Sequence, residues 1–313
     1  CDVIATNAGR AFPVRGHIHR RMGHDVFNSL RRVAAAAALT LGLVAASTGQ
    51  AVAITGGTPD GNGHPSVGMI MFYEGGGRYR CTATLVTPTV LLTAAHCTMG
   101  TAGKTLVTFD SVIAEAPPSG IPAADDPAAG YVSSDVTKDP TRAWYAGQSA
   151  FHPQYSNFTD MDTWNDVGVV VLDEPITGIT PSKIAPLNYL AQFAQPKLNS
   201  TLFTIVGYGT EVRKPDSGPQ KPEPMSYPLI RRVADAPGQK LTPQILQVNG
   251  NPNDIRGTGG SCFGDSGGPT FKDGMIVTVT SYGYTKNCRY LDGLQRVDIK
   301  GVQSWLLSYG VMP

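Results

Sequence analysis

Short apolar runs separated by clusters of turn residues dominate most of this chain. Residues 67–73, 83–92, 167–172, 202–206 and 275–281 are rich in β-branched and apolar side chains and are set between Gly, Pro, Asn and Asp. Runs of this length with such borders predict strands, and their steady succession predicts a barrel or a sandwich. The tail departs from the pattern. Val302, Trp305, Leu306 and Tyr309 recur at helical spacing, which predicts one terminal helix packed on a β domain. Two stretches follow neither period. Residues 114–130 are rich in Ala, Pro and Gly, and 214–228 contain five prolines, so both predict solvated surface loops without a role of their own.

One apolar run is of another kind. Residues 33–46 follow Met22 and Arg31-Arg32 and lead, through small polar residues, to Ala51-Val52-Ala53. The run is short of the ~20 residues a membrane-spanning helix needs. Small residues at the first and third positions of the tripeptide suit signal peptidase, so 22–53 predicts a signal peptide cut after Ala53. Residues 1–21 are then an upstream extension outside the true product, and 54–313 form the globular domain. Alanines follow the twin arginine where export of a folded chain would want bulkier apolar residues, so ordinary secretion is expected, with no membrane anchor once the signal is removed.

Composition narrows the partners. A chain of 313 residues, 41% hydrophobic, with net charge +1, can bury a sizeable core and has no large field of either sign, so nucleic acid is not an expected partner. No metal-ligand spacing and no cofactor fingerprint is present, and none of either is expected. Of five cysteines, Cys1 falls in the removed part. Cys81, Cys97, Cys262 and Cys288 remain, an even set that in an exported chain predicts disulfides, with three pairings open on arithmetic alone.

The chemistry lies in three short motifs. Gly264-Asp265-Ser266-Gly267-Gly268-Pro269 presents a serine in a glycine-rich turn, and Thr93-Ala94-Ala95-His96-Cys97 presents a histidine. A serine hydroxyl is a weak nucleophile at neutral pH and needs a base, whose other ring nitrogen is held by a carboxylate. Asp166, in Asn165-Asp166-Val167, stands at the mouth of an apolar run where a buried carboxylate could do this. Asp162 and Asp173 flank that run without occupying the same place, and His152, in Phe151-His152-Pro153, reads as structural. The order His, Asp, Ser excludes the α/β-hydrolase arrangement, which needs Ser, acid, His.

With Ser281-Tyr282-Gly283 and the start Ile54-Thr55-Gly56-Gly57 in the same order, residues 54–313 resemble the chymotrypsin/trypsin family of serine endopeptidases, as a secreted bacterial member. The resemblance implies an all-β fold of two six-stranded antiparallel barrels, with the site in the cleft between them and a C-terminal helix. It implies that Ser266 is the nucleophile, His96 the base and Asp166 its orienting acid. Gly264 and Ser266 supply the oxyanion hole through their amides. Cys81 pairs with Cys97 and Cys262 with Cys288, and a free ammonium on Ile54 pairs with Asp265. Ser281, Tyr282 and Gly283 bind an extended peptide by its backbone, with Tyr282 standing where the family commonly has tryptophan and packing against substrate. Since the small-residue site ends at Ala53, signal cleavage itself would create the Ile54 terminus.

Specificity is open at the sequence level. Gly260 stands at the base of the primary pocket, where members that cut after Lys or Arg carry aspartate. A second wall comes from Asp292 or Gly293. Counting from Cys288 does not separate them, while counting back from Arg296-Val297 favours Asp292. Asp292 pointing inward gives a basic or mixed preference, and Gly293 gives an open apolar pocket; the expectation leans slightly to large apolar side chains. Polypeptide substrates are the expected partners, with protein inhibitors of proteases as a second class. The rival reading is a catalytically silent, protease-like binding protein.

Overall fold

The computed structural model describes residues 54–115, 119–210 and 229–313. The expected extension 1–21, the signal segment 22–53 and the proline-rich stretch 214–228 lie outside the described residues.

Two antiparallel barrels with the same winding follow one another along the chain. The first joins β2 (Val67–Glu74), β3 (Gly77–Thr87), β4 (Val90–Thr93), β5 (Ala102–Thr108), β6 (Tyr145–Phe151) and β7 (Gly168–Leu172), closed in the order β2-β3-β4-β7-β6-β5. The second joins β8 (Leu202–Gly207), β9 (Arg232–Leu241), β10 (Ile245–Asn249), β11 (Pro269–Lys272), β12 (Met275–Gly283) and β13 (Leu291–Arg296), and the β8–β9 pairing closes its ring. The two-residue β1 (Thr58–Pro59) adds to β9, and α1 (Lys300–Leu307) ends the domain. The two-barrel expectation therefore holds.

Strand β2 explains how the barrels meet. Seven of its eight residues are buried, because successive side chains point to opposite faces and both faces are covered. Ile70 and Phe72 join Leu85, Leu91, Val107 and Val170 inside the first barrel. Val67, Met69 and Met71 face the other way, into a seam shared with Val206, Tyr208 and Val279 of the second barrel and Val302 and Leu306 of α1. The second barrel has its own interior of Phe203, Ile205, Leu246, Val248, Val277 and Leu294.

Three sequence expectations need correction. The run 83–92 is not one strand but the end of β3 and the first three residues of β4, turning at Pro88-Thr89, where the proline cannot donate to a ladder. The terminal helix starts two residues earlier than its apolar pattern and ends at Leu307. Where described, 114–130 is not simply solvated: Ala124 is buried with its amide on the Tyr73 hydroxyl, and the buried Tyr131 donates to Pro122 O at 2.7 Å.

Polar groups also cross the seam. Arg231, 1% exposed, donates from Nε to Asp60 Oδ2 at 2.9 Å, and from Nη1 to Val67 O at 2.9 Å and Phe109 O at 3.0 Å. His64 also reaches Asp60, its amide donating to Oδ2 and its ring lying against Oδ1. Burial raises the Asp60 carboxyl, but these donors outweigh it and hold the group at about 2. Its contribution to stability is thus present above the ordinary value of 3.8 and is lost as pH falls towards about 2. Arg231→Met leaves the carboxylate buried with one partner fewer and is expected to destabilise the domain by ~3–5 kcal/mol, read from the denaturant midpoint at neutral pH.

Candidate active site

The His96 ring follows β4 in a single 3-10 turn, Ala95–Cys97. Its Nδ1 lies 2.8 Å from Asp166 Oδ2, and its amide donates to Asp166 Oδ1 at 3.0 Å. An ionised carboxylate only accepts, so Nδ1 carries the hydrogen and Nε2 is the accepting edge of the ring. Asp166 is 0% exposed, and a buried carboxylate is costly unless its oxygens are hydrogen-bonded. Ser281 Oγ donates to its Oδ2 at 2.6 Å and itself receives Trp164 Nε1 at 2.9 Å. The Asp166 amide donates to Gln295 Oε1 at 3.0 Å. Its neighbour Asn165 takes a left-handed φ of 42°, which asparagine tolerates better than most residues.

The serine turn is fastened to the first barrel. Ser266 O accepts from the Thr82 amide at 2.8 Å, and Thr82 O accepts from Thr93 Oγ1 at 2.9 Å, three residues before His96. Thr82 Oγ1 also donates to Gly264 O at 2.8 Å. Gly267, at φ +75°, lies against Thr93 and Ala94 so closely that a side chain would collide with both. Among the described residues the amides of Gly264 and Ser266 donate to no protein acceptor. They flank Asp265, whose own amide bonds to Cys262 O. The disulfides are Cys81–Cys97 and Cys262–Cys288, with Cα separations of 6.3 and 5.2 Å. Each lies beside one of the two motifs.

A cavity of about 380 Å³ opens beside Ser266, lined by Ser261, Phe263, Tyr282, Gly283 and Tyr284 among others. Strand register gives the two residues considered for its second wall, Asp292 and Gly293, different partners. Gly293 pairs with Tyr282, and a side chain there would run into the tyrosine ring, so Gly293 lies beneath that ring. Asp292 pairs with Gly283. Cross-strand partners share a face, and Gly283 has no side chain to screen the carboxylate. Asp292 Oδ2 accepts from the Ser261 amide at 2.7 Å and lies close against Gly260 and Gly250. Burial pushes its carboxyl up to about 7, against the hydrogen bonds from Ser261.

Aromatic rings run from the histidine to the cavity. Phe158 is 5.5 Å from His96 and 5.3 Å from Trp164, which is 5.1 Å from Tyr282. Of the other residues weighed from sequence, His152 is buried against Trp305 and its Nδ1 accepts from the Gln154 amide. Asp173 binds Lys104 and Ser133, and Asp162 is exposed. Ile54 is fully buried with its carbonyl on the Gly57 amide, and no hydrogen bond or ion pair joins it to Asp265. Among the described residues the one grouping of potential metal ligands is Cys81, His96 and Cys97, and the disulfide takes both sulfurs.

Sequence reasoning missed Trp164, Gln295 and Thr82, and assigned Ser281 a backbone role only. The position of Trp164 two residues before Asp166 was the one local signal; Gln295 and Thr82 had none.

Paired barrels with an acid, an imidazole and a serine turn at their junction define a class of hydrolase. Residues 54–306 match the Trypsin family model, and the chain belongs to that family of serine proteases. Similar proteins include the β-fibrinogenase brevinase of Gloydius blomhoffii, 25% identical over 70% of this chain and 86% of its own. Brachyurin of Leptuca pugilator is 27% identical over 70% and 83%, and a trypsin of Saccharopolyspora erythraea 25% over 66% and 77%. Among solved structures, HL collagenase superposes with a TM-score of 0.55 at 16% identity, covering 82% of this chain and 98% of that one. Human heparin binding protein gives 0.52 at 16%, covering 83% and 98%. At these identities the structures speak for the fold.

The tautomer is directly measurable. ¹H–¹⁵N spectra of the imidazole at pH 8 are expected to show His96 protonated at Nδ1 and bare at Nε2, and Asp166→Asn to remove that preference.

Proposed function

We propose that the chain is a secreted serine endopeptidase that cleaves polypeptides through an acyl-enzyme at Ser266. The observation that carries the reading is the pair of uncommitted amides, Gly264 and Ser266, on the turn whose serine is fastened to the loop bearing the Asp166-oriented His96. Ser266 Oγ attacks the scissile carbonyl carbon as its proton passes to His96 Nε2. The carbonyl oxygen becomes an oxyanion, which the two amides stabilise more strongly than the starting carbonyl. His96 then gives the proton to the departing amine nitrogen, the C–N bond breaks, and water repeats the sequence to free the acid and Ser266. Asp166 stabilises the imidazolium without taking its proton.

An extended peptide would lie along the end of β12 at Ser281, Tyr282 and Gly283, adding a strand by its backbone. Its side chain would enter the cavity of about 380 Å³, whose lining residue Ser261 donates its amide to the buried Asp292. We infer a mixed preference, apolar and basic, governed by Asp292 in place of the apolar lean that Gly293 would have given. The two disulfides support secretion, and no helix among the described residues is long and apolar enough to cross a membrane.

A fluorophosphonate is expected to label the processed protein stoichiometrically at Ser266, and Ser266→Ala to abolish both labelling and peptide cleavage. Failure to label correctly processed protein would favour the silent binding protein. The pocket gives a second expectation. Asp292 is protonated below about 7 and charged above it. The kcat/KM ratio for Arg or Lys over Leu or Phe substrates should therefore rise as pH passes upward through that value, and Asp292→Asn should flatten the rise.

A further inference from the structure

A second cavity shares no lining residue with the one beside Ser266. It encloses about 520 Å³ and is walled by both barrels. Ser66 stands just before β2, Ser182 and Lys183 lie on the segment that joins the barrels, and Phe271 and Lys272 belong to β11.

One wall is apolar. The His64 ring stacks on Phe271, with centroids 5.0 Å apart and planes 24° from parallel. Phe271 pairs with Thr204 across β11 and β8, so both project to the cavity face. Leu202, two residues before Thr204 on the same strand, shares that face. The Asp60 carboxylate holds the His64 ring at Nδ1, 2.5 Å away, and Nε2 has no protein partner among the described residues.

The remaining walls carry donors that the protein itself does not use. Ser66 Oγ and Ser182 Oγ lie 2.8 Å apart. Their mutual bond consumes one of the two hydroxyl hydrogens and leaves the other without a protein acceptor, although Ser66 is only 4% exposed. A buried donor is costly to leave unpaired, so an acceptor that enters the cavity is favoured. The ammonium of Lys183 has no hydrogen bond or ion pair among the described residues. That of Lys272 lies 3.7 Å from Asp273 Oδ1 and 5.6 Å from the Phe193 ring, which Lys197 also approaches at 4.8 Å. The neighbouring carboxylates are already engaged: Asp273 accepts from the Tyr189 hydroxyl at 2.5 Å, and Asp235 from Thr204 Oγ1 at 2.7 Å. The ammonium groups of Lys183, Lys197 and Lys272 thus outnumber the carboxylates of Asp235 and Asp273, and the local field favours an anion.

We propose that this cavity is a binding site for an organic carboxylate with an apolar or aromatic body. The body lies on Phe271, His64 and Leu202, and the carboxylate meets the ammonium groups of Lys183 and Lys272 and the unused hydrogen of the Ser66–Ser182 pair. An inorganic anion would leave the apolar wall and most of the 520 Å³ unfilled. A free organic acid offers this chemistry, and so do neighbouring Glu and Phe side chains of a polypeptide. The site is independent of acyl transfer at Ser266 and is tested separately from it.

The test uses the full chain carrying Ser266→Ala, so that no probe is cleaved, and follows the amide resonances of Ser66, Lys183, Phe271 and Gly274. Phenylpropionate is expected to shift them saturably, with a Kd of about 5 mM or tighter. Neutral phenylpropionamide and inorganic phosphate should each bind about tenfold more weakly. Lys183→Met and Lys272→Met should each weaken the acid about threefold and together about tenfold, without altering any shift the probe causes at Tyr282 and Gly283. The peptide acetyl-Gly-Glu-Phe-Glu-Gly-amide identifies the source: binding tighter than that of the free acid assigns a polypeptide segment, and weaker binding assigns a free organic acid. Four results overturn the proposal. The cavity resonances do not move; acid and amide bind alike, which marks a plain apolar crevice; phosphate matches the acid, which marks a loose anion-binding surface; or the lysine substitutions have no effect.

Discussion

Thr82 engages every hydrogen-bonding atom it has, and the rest of the site follows from where those bonds lead. Its amide holds Ser266 O, its carbonyl takes Thr93 Oγ1, and its hydroxyl donates to Gly264 O while accepting from the Tyr208 amide. One residue of the first barrel thus fixes both ends of the serine turn and the approach to the histidine. Because interiors pack densely and deform little, the apolar seam around β2 keeps these bonds in register. The neighbouring Cys81–Cys97 bridge joins β3 to the histidine turn.

Four buried acids illustrate how the same desolvation cost is met in different ways. Asp60 meets an arginine and a histidine and remains strongly acidic. Asp166 collects the histidine ring, its amide and the Ser281 hydroxyl, so all its partners serve orientation. Asp265 and Asp292 rely mainly on backbone amides, and burial leaves both near neutrality.

How far the sequence could be read follows from how local each signal is. The serine turn and the histidine turn are contiguous motifs whose glycines and neighbours declare themselves, and the apolar runs of β2, β7, β8 and β12 report their own burial. Strands β9 and β13 were not legible, because they carry Arg232, Asp235, Asp292 and Gln295 in place of plain alternation. Trp164 and Gln295 act on residues 117 and 129 positions away, and no local pattern encodes such a meeting. The different partners of Asp292 and Gly293 follow only from the register of β12 on β13, since the segment after Cys288 offers no fixed count.

Strand β13 also carries an unusual concentration of duties in Leu291–Arg296. Asp292 holds the Ser261 amide, Gly293 makes room for the Tyr282 ring, Gln295 fastens the Asp166 amide, and Arg296 grips Asp298, whose carboxylate also takes the Leu190 amide. A slip of one residue in its pairing would turn each of these side chains to the opposite face. The floor under the Tyr282 ring and the anchor of the Asp166 amide are therefore set by a single register, and an insertion or deletion that shifted this strand would disturb both ends of the aromatic path at once.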